Sequence, residues 1–193
     1  MNTLGRKAFQ EYISNGVLGR LNPTQTIAEA IAICESMNEG RIVKPKGSRY
    51  AQFEGVIWHP IGGEGLTYSR LTICAEPGED HWNRTPNRMG INFTTNTRTA
   101  LLNEIPWYAE LEKMQRSEVY ALLRELGIDF MERIKHYEDS PPEIESICIG
   151  QRPMTILNFY NQPEIPFHMT WFKDGLDESD YPYRLELRTP ILF

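Results

Sequence analysis

The chain has 193 residues, of which 40% are hydrophobic and 24% are charged. This composition excludes an intrinsically disordered chain, and the length suffices for a domain that folds without metals or disulfides. The formal net charge of −6 disfavours a surface that tracks nucleic-acid phosphates. We therefore expect a single compact domain over residues 1–193 with no nucleic-acid partner.

The N-terminal segment and the cysteines both favour a cytoplasmic protein. Residues 1–11 contain no apolar stretch of the kind that a secretory leader needs, and no segment approaches the length of a membrane span. The three cysteines are widely spaced among apolar neighbours, which predicts reduced core residues: Cys34, Cys74 and Cys148. We expect no membrane partner and no disulfide.

Two helices are predicted first in chain order. Residues 3–14 carry an apolar stripe and end near Asn15-Gly16, which predicts an amphipathic helix with a glycine stop. The second helix, over residues 27–37, carries apolar residues at helical spacing. Thr26 and Glu29 have the spacing of a capping box, which marks the start of this second helix.

After the second helix, the residue pattern changes from helical spacing to one typical of strands. Residues 50–59 and 66–75 are rich in aromatic and β-branched side chains, and the glycines between them favour a hairpin turn. A polar loop follows, and residues 89–95 predict a third strand. The first half of the chain is therefore predicted to be two helices followed by three strands.

The second half repeats this order. Helices are predicted around residues 98–105, before a Pro106-Trp107 interruption, and over residues 117–126, before Gly127. A charged connection comes next. The remaining segments predict strands over residues 144–149, 154–160, 167–172 and 183–187.

A constant offset of 92 residues superimposes the apolar stripes of the two halves. The pattern suggests two tandem αα–βββ units, residues 1–95 and 96–193, although sparse identities at this offset leave duplication a hypothesis. Either way, strands that alternate apolar and polar residues need one covered face. The predicted fold is α+β, with helices packed on one face of a mostly antiparallel sheet.

No catalytic or metal motif stands out. The histidines lack HxH and HxxxH spacing, no GxSxG is present, and the glycines at 62–65 lack the order of a phosphate-binding loop. His59 and His168 fall in or beside predicted strands, where a structural, hydrogen-bonded histidine is the commoner role. We expect no metal, no cofactor and no catalytic residue.

Two polar loops combine charged and aromatic residues, at positions 77–88 and 174–183. Aromatic side chains supply buried anchors in protein interfaces, and carboxylates steer a basic partner. The predicted partner-binding residues are Glu79, Asp80, His81, Trp82, Asp174, Asp177, Glu178, Asp180 and Tyr181. The alternative for each loop is a solvated connection without a binding role.

The helix over residues 24–37 leading into 50–75, and the helix over 117–126 leading into 144–172, together resemble bacterial toxin-immunity proteins. The resemblance lies in size, acidity and the helix-then-strands pattern. It implies a non-enzymatic protein that binds and neutralises a cognate protein toxin. Two alternatives remain: a small enzyme or ligand-binding domain with a pocket between helices and sheet, using Asp80/His81 or His168, and a phage or mobile-element assembly protein. The oligomeric state is not predicted.

Overall fold

The structure is a computed structural model that describes residues 1–36, 41–43, 50–54, 69–74, 83–93, 104–136, 143–175 and 185–189. It confirms an α+β fold. The helices are α1 (Thr3–Asn15), α2 (Ile27–Ser36), α3 (Tyr108–Leu111) and α4 (Arg116–Glu125). The strands are β1 (Arg41–Val43), β2 (Tyr50–Glu54), β3 (Ser69–Cys74), β4 (Arg88–Asn92), β5 (Phe130–Lys135), β6 (Glu143–Gly150), β7 (Met154–Phe159), β8 (Pro166–Phe172) and β9 (Leu185–Arg188).

The nine strands form one sheet in the order β1-β2-β3-β4-β8-β7-β6-β5-β9. Every neighbouring pair is antiparallel, as the sequence predicted. Strands β1–β4 and β5–β8 are two meanders whose last strands, β4 and β8, lie side by side. Strand β9 pairs with β5 at the far edge. The packing of all helices on one face, and the duplication of the two halves, stay predictions.

Helix α1 begins and ends where the sequence predicted. The Asn2 side chain accepts a hydrogen bond from the Gly5 N–H at 2.8 Å, which caps the first turn. At the other end Gly16 adopts φ +71°, a left-handed conformation that glycine reaches without strain. An ideal Cβ at Gly16 would lie 2.7 Å from the Trp171 ring, so this stop is also packed against the sheet.

Helix α2 has the predicted capping box. Thr26 N–H donates to Glu29 Oε2 at 2.7 Å, and Glu29 N–H donates in return to Thr26 Oγ1 at 3.2 Å. The hydrogen bonds that the Glu29 carboxylate accepts from the Thr26 N–H and from the Thr26 hydroxyl, the latter at 3.1 Å, lower the pKa of Glu29. The capping box of Thr26 and Glu29 therefore fixes where α2 begins.

Helix α1 and the centre of the sheet share one apolar cluster. Phe9 and Tyr12 of α1 are fully buried in it, together with Trp107. The Tyr12 hydroxyl donates to the carbonyl of Met89 at 3.0 Å and lies 3.3 Å from that of Met169. Burial raises the pKa of Tyr12, so its hydroxyl stays a donor. Tyr12 thus connects α1 to both β4 and β8 where the two meanders meet.

Alternate residues of these strands divide the sheet into two faces. One face contributes to the apolar cluster through residues such as Met89, Ile91, Leu157, Met169 and Trp171. We call it the core face. The opposite face, which we call the second face, carries Ser146, Cys148, Ile156, His168 and Thr170 at cross-strand positions. All of these except His168 are buried, and the buried Cys148 thiol is not part of a disulfide.

Strand β5 corrects the prediction of a charged connection after α4. Its middle residues, Glu132 and Arg133, are each only 4% exposed, and a β-bulge lies between Arg133 and Ile134. The Tyr120 hydroxyl donates to Glu132 at 3.0 Å, and Arg133 donates to Ser146 at 3.2 Å. Because buried charges and a bulge interrupt the alternation, the sequence pattern did not show this strand.

Two further differences concern short elements. The three-residue strand β1 was not predicted, because a strand of this length carries too little alternation. In the predicted helix over residues 98–105, the described residues Glu104 and Ile105 are not helical, and the remainder lies outside the described residues. A short helix, α3, instead follows Pro106-Trp107. The predicted turn at residues 62–65 also lies outside the described residues.

Candidate functional site: the loop end of the sheet

The two predicted binding loops leave the sheet at neighbouring positions. The first loop leads into β4 at Arg88, and the second begins where β8 ends at Phe172. These two residues are cross-strand partners. One residue further out, the Lys173 N–H donates to the carbonyl of Asn87 at 2.8 Å. The register of β4 and β8 therefore joins two loops that are far apart in the sequence.

A third connection lies at the same end. Met154, at the start of β7, pairs with both Phe172 and Gly150, so the turn over residues 151–153 projects beside the second loop. Gly175 has φ +79°, and an ideal Cβ there would lie 2.6 Å from the Gln151 carbonyl oxygen. The second loop therefore contacts this turn closely. We call residues 83–88, 151–153 and 172–175 the loop end.

The first loop is also attached to α2. The carbonyl of Arg84 accepts a hydrogen bond from the Ile27 N–H at 3.0 Å, which satisfies one of the free donors at the helix start. Pro86 is buried, whereas Asn83, Arg84 and Thr85 are exposed. The described part of this loop thus combines a backbone fixed at both sides with exposed side chains.

The described loop end carries more positive than negative side chains. The exposed cations are Arg84, Arg88, Arg152 and Lys173, and Asp174 is an exposed carboxylate. The guanidinium carbon of Arg88 lies 5.3 Å from the centre of the Phe172 ring, within the range of a cation–π contact. These cations do not stand out in the sequence, because the sheet register brings the two loops and the turn together.

Of the predicted partner-binding residues, the structure places Asp174, exposed at the loop end. The other eight lie outside the described residues: Glu79, Asp80, His81, Trp82, Asp177, Glu178, Asp180 and Tyr181. They belong to the same two loops by sequence. Their role in binding stays a prediction.

His168 lies on the second face, opposite the apolar cluster. It is the cross-strand partner of Asn92 and Asn158, and the Thr170 hydroxyl lies 3.2 Å from its Nε2. Burial, followed by the nearby charge of Arg88, lowers the pKa of His168 to about 4. The imidazole is therefore neutral near pH 7. The hypothesis of a pocket between helices and sheet that uses Asp80 and His81, or His168, stays a prediction.

Among the residues that the structure describes, no three His, Cys, Asp or Glu side chains are grouped to hold a metal ion. In the same part of the chain, no helix has the length and apolar character to cross a membrane. Comparisons of the chain with protein-family models, with curated proteins and with solved structures found no match.

Proposed function

We propose that this chain is a non-enzymatic immunity protein that binds a cognate bacterial toxin domain through the loop end and thereby neutralises it. The observation that supports the proposal is the hydrogen bond between Lys173 N–H and the Asn87 carbonyl at 2.8 Å. This contact joins the described ends of two loops, each of which the sequence selected independently as a candidate for partner binding. Acting in this way, the protein would work in the cytoplasm of the cell that makes the toxin.

The attachments of the loop end favour tight binding. Arg84 is tied to α2, Asn87 to Lys173, and Gly175 lies against Gln151. Binding costs conformational entropy whenever loops must be ordered, so backbone segments held in advance reduce this cost. Exposed charged groups around a fixed frame also speed association and restrict which partners fit.

Growth rescue is the direct test. Proteins encoded next to this chain in its native genome are expressed one at a time in a bacterial host, with and without this chain. We expect one of them to stop growth alone, to be neutralised by this chain, and to co-purify with it as a complex of defined stoichiometry by light scattering. If no neighbouring protein is toxic or bound, the proposal is wrong.

A matched pair of variants tests the surface itself. Lys173→Glu reverses a charge at the loop end, while Lys113→Glu makes the same change on an exposed residue after α3. Lys113 is remote from the loop end. The segment that follows it contacts the β7–β8 connection, at the opposite end of these strands, where the Arg116 N–H donates to the Glu164 carbonyl at 2.8 Å. We expect only Lys173→Glu to weaken rescue. Equal rescue by both variants would assign the contact to another surface.

A further inference from the structure

The loop end concentrates cations that have no carboxylate partner in the described part of the chain. Arg88, Arg152 and Lys173 sit at the ends of neighbouring strands or in the turn between them, and all three are exposed. Among the described residues no carboxylate lies within ion-pair distance of any of them.

Several arginines elsewhere are neutralised by such carboxylates. Arg6 forms a two-pronged ion pair with Glu125, with one N···O distance of 3.0 Å. Arg20 binds Glu104 in the same way at 2.7 and 2.9 Å. Arg116 pairs with Glu164. Arg88, Arg152 and Lys173 differ from these three arginines because no carboxylate among the described residues pairs with them, so they are available to a partner.

The position of Arg88 suits it for recognition of a carboxylate. Its guanidinium lies over the Phe172 ring, and Phe172 is itself fixed in β8 by pairing on both sides. A guanidinium that rests on an aromatic ring is restrained by the cation–π contact and can still donate two parallel hydrogen bonds. A carboxylate accepts such a pair with its two oxygens. The Phe172 ring thus restrains Arg88 before a partner arrives.

We infer that the loop end binds an acidic patch on the protein partner, with Arg88 donating hydrogen bonds to a carboxylate and with Arg152 and Lys173 beside it. The identification of the partner as a protein rests on the proposed function, while the cationic character of the surface does not. A nucleic acid fits less well, because the net charge of −6 repels a polyanion that is larger than the patch. The predicted carboxylates of the same two loops would contact basic groups elsewhere on that partner.

The inference is tested without the toxin, by titrating the full chain, labelled with nitrogen-15, with short synthetic probes. The probes are a hexaglutamate peptide, a hexalysine peptide and a single-stranded DNA hexamer at equal concentrations. Backbone amide shifts locate the binding surface. We expect hexaglutamate to shift the amides of Asn87, Arg88, Lys173 and Asp174, and this shift to shrink as sodium chloride is added.

A matched pair of arginine variants separates a specific site from general charge attraction. Arg88→Gln removes the oriented guanidinium, and Arg124→Gln removes an exposed guanidinium on α4. We expect Arg88→Gln to raise the Kd for hexaglutamate about threefold, the size of one exposed ion pair, and Arg124→Gln to leave it unchanged. Equal effects of the two variants would show nonspecific attraction and overturn the inference.

Each remaining outcome is also decisive. If hexalysine shifts the loop-end amides and hexaglutamate does not, the surface is effectively acidic and the inference is wrong. If DNA binds there more tightly than hexaglutamate, the partner class is wrong. Because no toxin is used, these results are independent of the rescue experiment, and either hypothesis can fail while the other survives.

Discussion

The two meanders of the sheet differ mainly in their connections. In the second meander, the turn between β6 and β7 covers residues 151–153, and the connection between β7 and β8 covers 160–165, where Tyr160 N–H bonds the Ile165 carbonyl at 3.0 Å. In the first meander the described residues before β4, residues 83–87, instead carry exposed side chains on a backbone that bonds α2 through the Arg84 carbonyl. Exposed loop side chains on a fixed backbone are common binding positions.

This difference suggests a division of roles at the loop end. The first meander supplies residues 83–87, among which Asn83, Arg84 and Thr85 are exposed. The second meander supplies Lys173, whose N–H bonds the Asn87 carbonyl, and the short turn against which Gly175 packs. The first half therefore contributes exposed side chains, and the second half contributes a backbone contact that holds the described end of that loop. The pairing of β4 with β8 brings these two contributions together.

A large-to-small substitution in the core of either meander should destabilise the entire domain. Ile73 of β3 and Leu157 of β7 are both fully buried in the same apolar cluster. Ile73→Ala and Leu157→Ala should each cost about 3 kcal/mol of unfolding free energy, the usual penalty for a large-to-small change in a core. Urea titrations followed by circular dichroism and by tryptophan fluorescence measure this cost.

The shape of those unfolding curves decides whether the meanders are independent. If both probes show one coincident transition in each variant, the two halves unfold as a unit. If Ile73→Ala instead produces an early transition that leaves a second one unchanged, the meanders are separate folding units that merely share an edge.

The sequence predicted most of the helices and strands but not which of them contact one another. Helix α1, with its stop at Gly16, and helix α2, with its Thr26 cap, depend on residues a few positions apart, so local pattern sufficed. Strand β5 was missed because Glu132 and Arg133 are buried through partners on other elements. No local pattern contains that information.

The candidate site shows the same limit. The sequence selected the loop that contains Asp174 from its composition, which is a local property. It did not select Arg88, Arg152 or Lys173, because their proximity follows from the pairing of β4 with β8 and β8 with β7. Long-range register depends on the whole hydrophobic pattern, which a single sequence does not specify strand by strand.

The contact between the second loop and the β6–β7 turn can be tested at Gly175. Gly175→Ala should cost about 2 kcal/mol, since it adds a Cβ close to the Gln151 carbonyl to the strain of a positive φ. Gly127→Ala is the matched control, because Gly127 has φ +66° with no atom within 4 Å of an ideal Cβ. It should cost about 1 kcal/mol. Equal penalties would mean that the turn moves aside and does not support the loop.

The pairing of β4 with β8, where the two meanders meet, should weaken in mild acid because of His168. This residue of β8 is the cross-strand partner of Asn92 in β4 and of Asn158 in β7. Burial, aided by Arg88, lowers the pKa of His168 from its ordinary 6.5 to about 4 in the folded state. Between these two values only the unfolded chain holds the proton, so lowering the pH through this window favours unfolding. At about pH 5 the loss should be roughly 1–2 kcal/mol, and above the ordinary value it should vanish.

The measurement is the urea midpoint of the wild type and of His168→Gln at about pH 7.5 and about pH 5. Carboxylates titrate in both proteins, so their effect cancels in the difference between the two pH-induced shifts. We expect the shift to be smaller in His168→Gln, because glutamine takes up no proton in the unfolded chain. An equal shift in both proteins would mean that His168 titrates alike in the folded and unfolded states, and that the second face beside Asn92 and Asn158 is open to water. The acid response would then belong to the exposed carboxylates of both meanders, and the pairing of β4 with β8 would be no more sensitive than the rest of the sheet.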